Sequence, residues 1–183
     1  MHGFSLGYED ESGISEKPVV RQTWAKRGQT PTITGSGSWK SLTMAGLLLF
    51  TPKGNNPRIY FRLQPGAMDK YDFLDLLQDM KIELKGKKLL LIWDGLPAHR
   101  AREVTEYIKS QDTWLRVERY PAYAPELSPV EFIWSPMKAT DLGNVPPKGL
   151  KHLKRMVRRS FKRIKSDKVL LRNCLRKAGV FKY

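Results

Sequence analysis

The chain's 183 residues, 40% of them hydrophobic, suffice for one domain with a real core and argue against wholesale disorder. Thirty-three Lys and Arg against 18 Asp and Glu give a formal net charge of +15, which points to a polyanionic partner, nucleic acid ahead of an acidic membrane surface. The single cysteine, Cys174, excludes an intramolecular disulfide and, with only His2, His99 and His152 beside it, a zinc finger.

Phe4, Leu6 and Tyr8 alternate with Ser5, Gly7 and Glu9, a strand with one face buried and Asp10 at its end. Asp10 falls on the face of Phe4, Leu6 and Tyr8, whereas Glu9 and Glu11 fall on the opposite one. Strands are also expected at Val19–Trp24, Ser41–Phe50 and Arg58–Leu63, with loop signals at Arg27-Gly28 and Gly35-Ser36-Gly37-Ser38. Asp69–Met80 has the pattern of a helix. Lys88–Trp93 is a short continuous apolar run, a strand buried on both faces among parallel neighbours. A helix at Glu103–Ser110, a strand at Trp114–Tyr120 and a helix from Pro129 complete the order β-β-β-β-α-β-α-β-α. Antiparallel strands followed by alternating units imply a mixed sheet with helices on its faces.

Pro146-Pro147 separates two regions of different charge. Residues 1–147 carry 19 basic and 17 acidic side chains; residues 148–183 carry 14 basic ones and a single acid, Asp167. The reading is therefore a near-neutral domain over 1–147 and a basic helical extension over 148–183. Leu150, Leu153, Val157, Phe161 and Ile164 form one helical face, and a second helix from about Asp167 carries Val169, Leu170, Cys174 and Leu175, with Gly179 as its C-cap. Lys154, Arg155, Arg158, Arg159, Lys162 and Arg163 fill the other faces of the first helix. Two surface helices with a solvated basic face would satisfy the pattern, but so many cations beside one acid favour DNA phosphates as the partner. The apolar runs are too short to cross a bilayer, and the first dozen residues, with Glu9, Asp10 and Glu11 and no Lys or Arg, are not a signal peptide. The expected location is the cytoplasm, with no membrane partner.

No phosphate-cradling P-loop and no Gly-x-Ser-x-Gly elbow is present, so carboxylates have to supply the chemistry. Asp94 closes the buried strand, where ligands gather in open α/β sheets. It reads either as a cation ligand or as a turn residue, since Asp94-Gly95 is also turn chemistry. Glu131 has two readings of equal weight. Ser128-Pro129-Val130-Glu131 is a capping box, in which Glu131 bonds the Ser128 backbone; alternatively Glu131 faces Asp10 and Asp94 and completes a metal site. Three acids on a basic protein suggest two-metal phosphodiester chemistry with Mg²⁺.

Four segments carry a resemblance. Asp10-Glu11-Ser12-Gly13, Thr23 to Pro31 (TWAKRGQTP), Ile92 to His99 (IWDGLPAH) and Tyr123 to Trp134 (YAPELSPVEFIW) resemble, in order, the catalytic domain of IS630-type transposases of the Tc1/mariner superfamily. The resemblance implies an RNase H-like fold with a five-stranded mixed sheet, a DDE triad at Asp10, Asp94 and Glu131, and Mg²⁺ or Mn²⁺ as cofactor, two ions. It also implies cut-and-paste transposition, typically into TA. Thirty-six residues separate Asp94 from Glu131, near the family's short spacing. Gly95 and Ser128 stand where many members have Asn, and Pro136 falls five residues into the expected helix, where it should kink or restart it. His99 lies in a matching segment, either touching the scissile phosphate or a metal-bound water, or making a structural hydrogen bond. Trp24 and Trp134 also match family positions, with core packing as the expected role of both.

The function expected is therefore a metal-dependent DNA transposase domain, nuclease and strand transferase. Its rivals are a catalytically inactive DNA-binding descendant and a ribonuclease of the same fold. Full-length members carry helix-turn-helix modules, so end recognition is expected from such a module upstream or on a separate partner. DNA is the expected substrate and partner, a homodimer is allowed for, and the expected setting is the nucleoid of a bacterial-type cell.

Overall fold

The computed structural model describes residues 3–35, 39–121 and 124–180. Five strands form one mixed sheet in the order β3-β2-β1-β4-β5. β1 (Phe4–Ser15) lies at its centre, antiparallel to β2 (Ser41–Phe50) and parallel to β4 (Lys88–Trp93). β3 (Arg58–Pro65) closes one edge antiparallel to β2, and β5 (Leu115–Arg119) the other, parallel to β4. This is the mixed, helix-flanked sheet that the sequence implies.

β2 is buried on both faces. Leu42, Met44, Leu48 and Phe50 enter one apolar cluster and Leu47 and Leu49 the other. The helices α1 (Lys70–Leu84) and α2 (Arg102–Ser110) cover the second face, where Phe73, Leu76, Leu77, Met80 and Val104 meet Leu89, Leu91 and Trp93 of β4. Asp69 caps α1 in a full capping box with Asp72. The first face is covered by α3 (Glu131–Pro136), α4 (Leu150–Ser166) and α5 (Lys168–Lys177). Leu153, Val157, Phe161 and Ile164 of α4 are buried, and Phe61 of β3 stacks on Phe161 at 3.8 Å. The basic helices thus share their core with the sheet. In α5 the buried residues are Leu171, Cys174 and Leu175, whereas Val169 is 66% exposed and does not belong to the apolar face. Gly179 adopts φ +68° behind the C-terminus of α5, the left-handed conformation expected of that cap.

Three expectations are corrected. Asp10 does not end β1; the strand runs five residues further, because its pairing with β2 continues to Ser15–Ser41. Val19–Trp24 is not a strand. Both edges of β1 are already taken, and among the described residues the segment shows an isolated bridge between Val19 and Gly143, a bond from the Asn144 N–H to the Val19 carbonyl at 2.8 Å and one from the Arg21 N–H to Asn144 Oδ1 at 2.8 Å. Trp24 is fully exposed rather than packed in the core. Of the loop signal at Gly35–Ser38, residues 36–38 lie outside the described residues, as does Tyr123 of the fourth segment.

Candidate active site

The parallel β1–β4 ladder ends at the pair Tyr8–Ile92. β4 ends at Trp93, so Asp94 follows the strand just past this pair, while Asp10 lies two residues further along β1. Here the sheet opens into a cleft of about 830 Å³ whose lining includes Asp10, Asp94, Ser128 and Glu131, with Arg100 and Arg119.

Asp10 is placed by Trp134. The indole Nε1–H donates to Asp10 Oδ2 at 2.9 Å, and the ring lies against β2. Gly46, paired with Asp10 across the sheet, makes room for it: a Cβ there would sit 2.8 Å from the indole. Burial, and next the charge of Glu131, push the Asp10 carboxyl from 3.8 up to about 7, while the Trp134 bond opposes the rise. Trp134, read from sequence as core packing, is indeed 1% exposed, and it also bonds a site carboxylate.

Glu131 opens α3 and is exposed. The capping box does not form: Val130, not Ser128, occupies the N-cap, and it makes no side-chain bond. Pro136 ends α3, and the chain passes into a π turn over Met137–Asp141. That wider turn accommodates the missing proline N–H and places Lys138 beside the site. Lys138 Nζ donates to Ser12 Oγ at 2.7 Å; burial lowers its pKa, against the pull of Glu131 and Asp10. No motif in the sequence marked Lys138, because a π turn shifts the face on which a residue emerges.

Asp94 makes the turn contact that one of its two readings gives. Its Oδ1 accepts from the Leu96 N–H at 2.9 Å, a turn bond, and lies 2.8 Å from His99 Nδ1. Both contacts fall on the same oxygen, while the residue lines the cleft. His99 is not in the cleft. It is 1% exposed, stacked on Trp93 at 4.1 Å with Phe73 edge-on at 4.3 Å. Its Nε2 lies 3.0 Å from Glu11 Oε1 and 3.7 Å from Glu9 Oε2. Contact with a phosphate in the cleft is therefore replaced by contact with the back of Asp94.

Glu9 and Glu11, on the face opposite Asp10 as alternation requires, join His99 in a group whose ligand atoms lie within 4.8 Å of one another. Among the described residues neither Glu9 oxygen has a hydrogen-bond partner, and burial followed by the charges of Glu11, Asp10 and Asp94 raises its pKa well above the ordinary carboxylate range. The donors facing the cleft are carboxylate oxygens, the chemistry that hard divalent cations take. A half-buried carboxyl near 7 beside a second acid is charge that a cation would offset. In residue type the cleft carboxylates suit Mg²⁺ or Mn²⁺, while among the described residues the group whose ligand atoms already converge within 4.8 Å is Glu9, Glu11 and His99.

Of the six tail cations, Arg163 is engaged: its Nη2 lies 2.8 Å from Asp141, which also takes a bond from the buried Ser160 hydroxyl. Arg155, Arg158, Arg159 and Lys162 are exposed and Lys154 is half-buried. Among the described residues, no helix is long and apolar enough to cross a membrane.

Residues 5–154 match the family described as DDE superfamily endonuclease. No curated protein matches the chain in sequence. Among solved structures, the chain is similar to the Mos1 transposase paired-end complex with left transposon end, at a TM-score of 0.69 and 18% identity over 94% of this chain and 52% of that one. The Mos1 mariner paired-end complex with Mn gives the same values, and the catalytic domain of Mos1 mariner transposase matches at a TM-score of 0.60 and 15% identity, over 95% of this chain and 77% of that one. These likenesses establish the fold. The chain spans about half the length of the paired-end structures it matches.

Proposed function

Because this chain belongs to the DDE superfamily endonuclease family, we propose that it is a transposase catalytic domain of the IS630 kind, cutting DNA phosphodiesters and joining strands. Asp10, Asp94 and Glu131 are the carboxylates that hold its divalent cations, two in number. The observation that carries this reading is the Asp10 carboxyl, half-buried, bonded by Trp134 and raised to about 7 by burial and by Glu131, in one cleft with Asp94 and Glu131. The solved complexes of Mos1 with Mn and with Mg support the choice of ions.

Two such ions, when bound, stabilise the attacking and leaving oxygens of an in-line displacement. The chain's own residues prepare the place. Trp134 fixes Oδ2 of Asp10, and the Leu96 N–H and His99 fix Oδ1 of Asp94. His99, tied to Glu11 behind the cleft, is a positioning residue. Arg100 and Arg119 put positive charge on the cleft wall where DNA phosphates would lie. The exposed cations of α4 add phosphate contacts that do not discriminate sequence. Residues 148–183 act as a functional extension of the catalytic domain in this reading, although α4 and α5 pack in its core.

The tail offers few side chains able to read base edges, Asn173 being the only Asn or Gln after Val145. A helix-turn-helix module outside these residues is the proposed reader of transposon ends. The paired-end form of the Mos1 complex supports a homodimer, and the proposed setting, which follows from the IS630 reading alone, is the nucleoid of a bacterial-type cell.

The test is nicking of supercoiled plasmid in Mn²⁺. The whole chain nicks, while Asp10→Asn, Asp94→Asn and Glu131→Gln each bind duplex normally and nick only at background. Duplex binding with no nicking by the unaltered chain in Mn²⁺ or Mg²⁺ would establish the inactive DNA-binding reading instead.

A further inference from the structure

We propose that the chain has a second DNA site, a basic pocket at the pole of the sheet opposite the catalytic cleft, which takes backbone phosphates from a stretch of duplex other than the one being cut. The DNA reading above supplies the source of the phosphates; the pocket itself stands on its own geometry.

Arg58 at the start of β3, Lys87 just before β4, and Lys168 and Arg172, one turn apart on α5, line a cavity of about 330 Å³ with Ser5 and Asn56. These cations come from three separate parts of the chain, and no acid lines the pocket. Among the described residues none of the four is ion-paired with a carboxylate. Lys168 Nζ is held by the Pro57 carbonyl at 3.0 Å. The neighbouring wall is preset: the Thr51 N–H donates to the Asn55 carbonyl at 3.1 Å and the Asn55 N–H to Thr51 Oγ1 at 3.1 Å.

Four like charges converging without a counter-charge repel one another, so the arrangement is compensated by an anion. All four are exposed, on the rim rather than around an enclosed floor. That placement suits a polyanionic backbone running across the mouth, not a small phosphate captured inside. Ser5 lies five residues before Asp10 on β1, about 17 Å at roughly 3.4 Å per residue, and Lys87 seven residues before Asp94. A phosphate in the pocket is therefore remote from the scissile one.

The experiment titrates a fluorescein-labelled 30-bp duplex across salt, using the whole chain and the variant Arg58→Glu/Lys87→Glu/Arg172→Glu, with thermal unfolding to check the fold. If the reversals do not fold, the Gln versions replace them. With three fewer phosphates neutralised, the salt slope flattens by about 2.7 and binding weakens roughly tenfold or more at 0.1 M salt. Plasmid nicking at saturating DNA is retained. An unchanged slope and affinity overturns the proposal. So does protection of the unaltered pocket's arginines from a guanidine-modifying reagent by millimolar inorganic phosphate but not by duplex, which would make it a small-anion site. If neither protein nicks while the slope still flattens, the catalytic reading fails and the pocket stands.

Discussion

Trp134 links a strongly perturbed cleft carboxylate to the core. Its ring needs Gly46 beneath it, and its N–H holds a carboxylate that burial alone would disfavour. Trp134→Phe keeps most of the packing and removes a charge-assisted bond, so Mn²⁺ affinity measured by calorimetry should fall on the order of 10–100-fold. Gly46→Ala should displace the indole and cost about 1–3 kcal/mol in denaturant unfolding. The Asp10 carboxyl is raised in the folded chain, from 3.8 to about 7, so folding takes up a proton between those values. Without metal its contribution to stability is fully present below about pH 4 and lost as the pH rises through about 7. Asp10→Asn removes that loss. At pH 8 the metal-free variant should be more stable by on the order of 1–4 kcal/mol, and the difference should vanish below about pH 4 in paired thermal scans. A variant no more stable than its parent at pH 8 would contradict the charge account. The three cleft carboxylates were legible as residues: an acid after an alternating strand, an acid after an apolar run, an acid at a helix start. Behind them, the Glu9, Glu11 and His99 group was not, because only the fold brings residues 9 and 11 against residue 99.

At the scale of elements, β2 and β4 follow directly from continuous apolar runs, and α1 from its apolar spacing. β1 extends beyond its readable alternation because Ser12 and Gly13 are held by backbone pairing to β2, which side-chain pattern does not report. Val19–Trp24 differs for the converse reason: strand-forming residues that pair with no strand of the sheet do not make a strand. The passage from α3 into the π turn rests on Pro136 and is secured at its far end by Asp141, which bonds both Ser160 and Arg163 of α4. Asp141→Ala should strand the buried Ser160 hydroxyl and cost about 1–3 kcal/mol, whereas Arg163→Ala alone should cost about 1 kcal/mol or less, that side chain being half exposed. Equal losses for the two would show that the ion pair, not the buried hydroxyl, fastens α4.

Over the whole molecule, charge is divided by face and pole. The cations of α4, the cleft arginines and the basic pocket at the start of β1 and β4 occupy different regions around one two-layered core. Reversing Lys154, Arg155, Arg158 and Arg159 to Glu should flatten the salt slope of duplex binding by about 0.9 for each phosphate no longer neutralised and leave thermal unfolding little changed. An unchanged slope would make the α4 face merely solvated. The central claim, however, is that Asp10, Asp94 and Glu131 hold the metal, and it is tested most directly by where Mn²⁺ goes. Crystals soaked in Mn²⁺ should show anomalous density among these three carboxylates, abolished in Asp10→Asn. Density only at Glu9, Glu11 and His99, or none in the cleft at saturating Mn²⁺, would contradict the account.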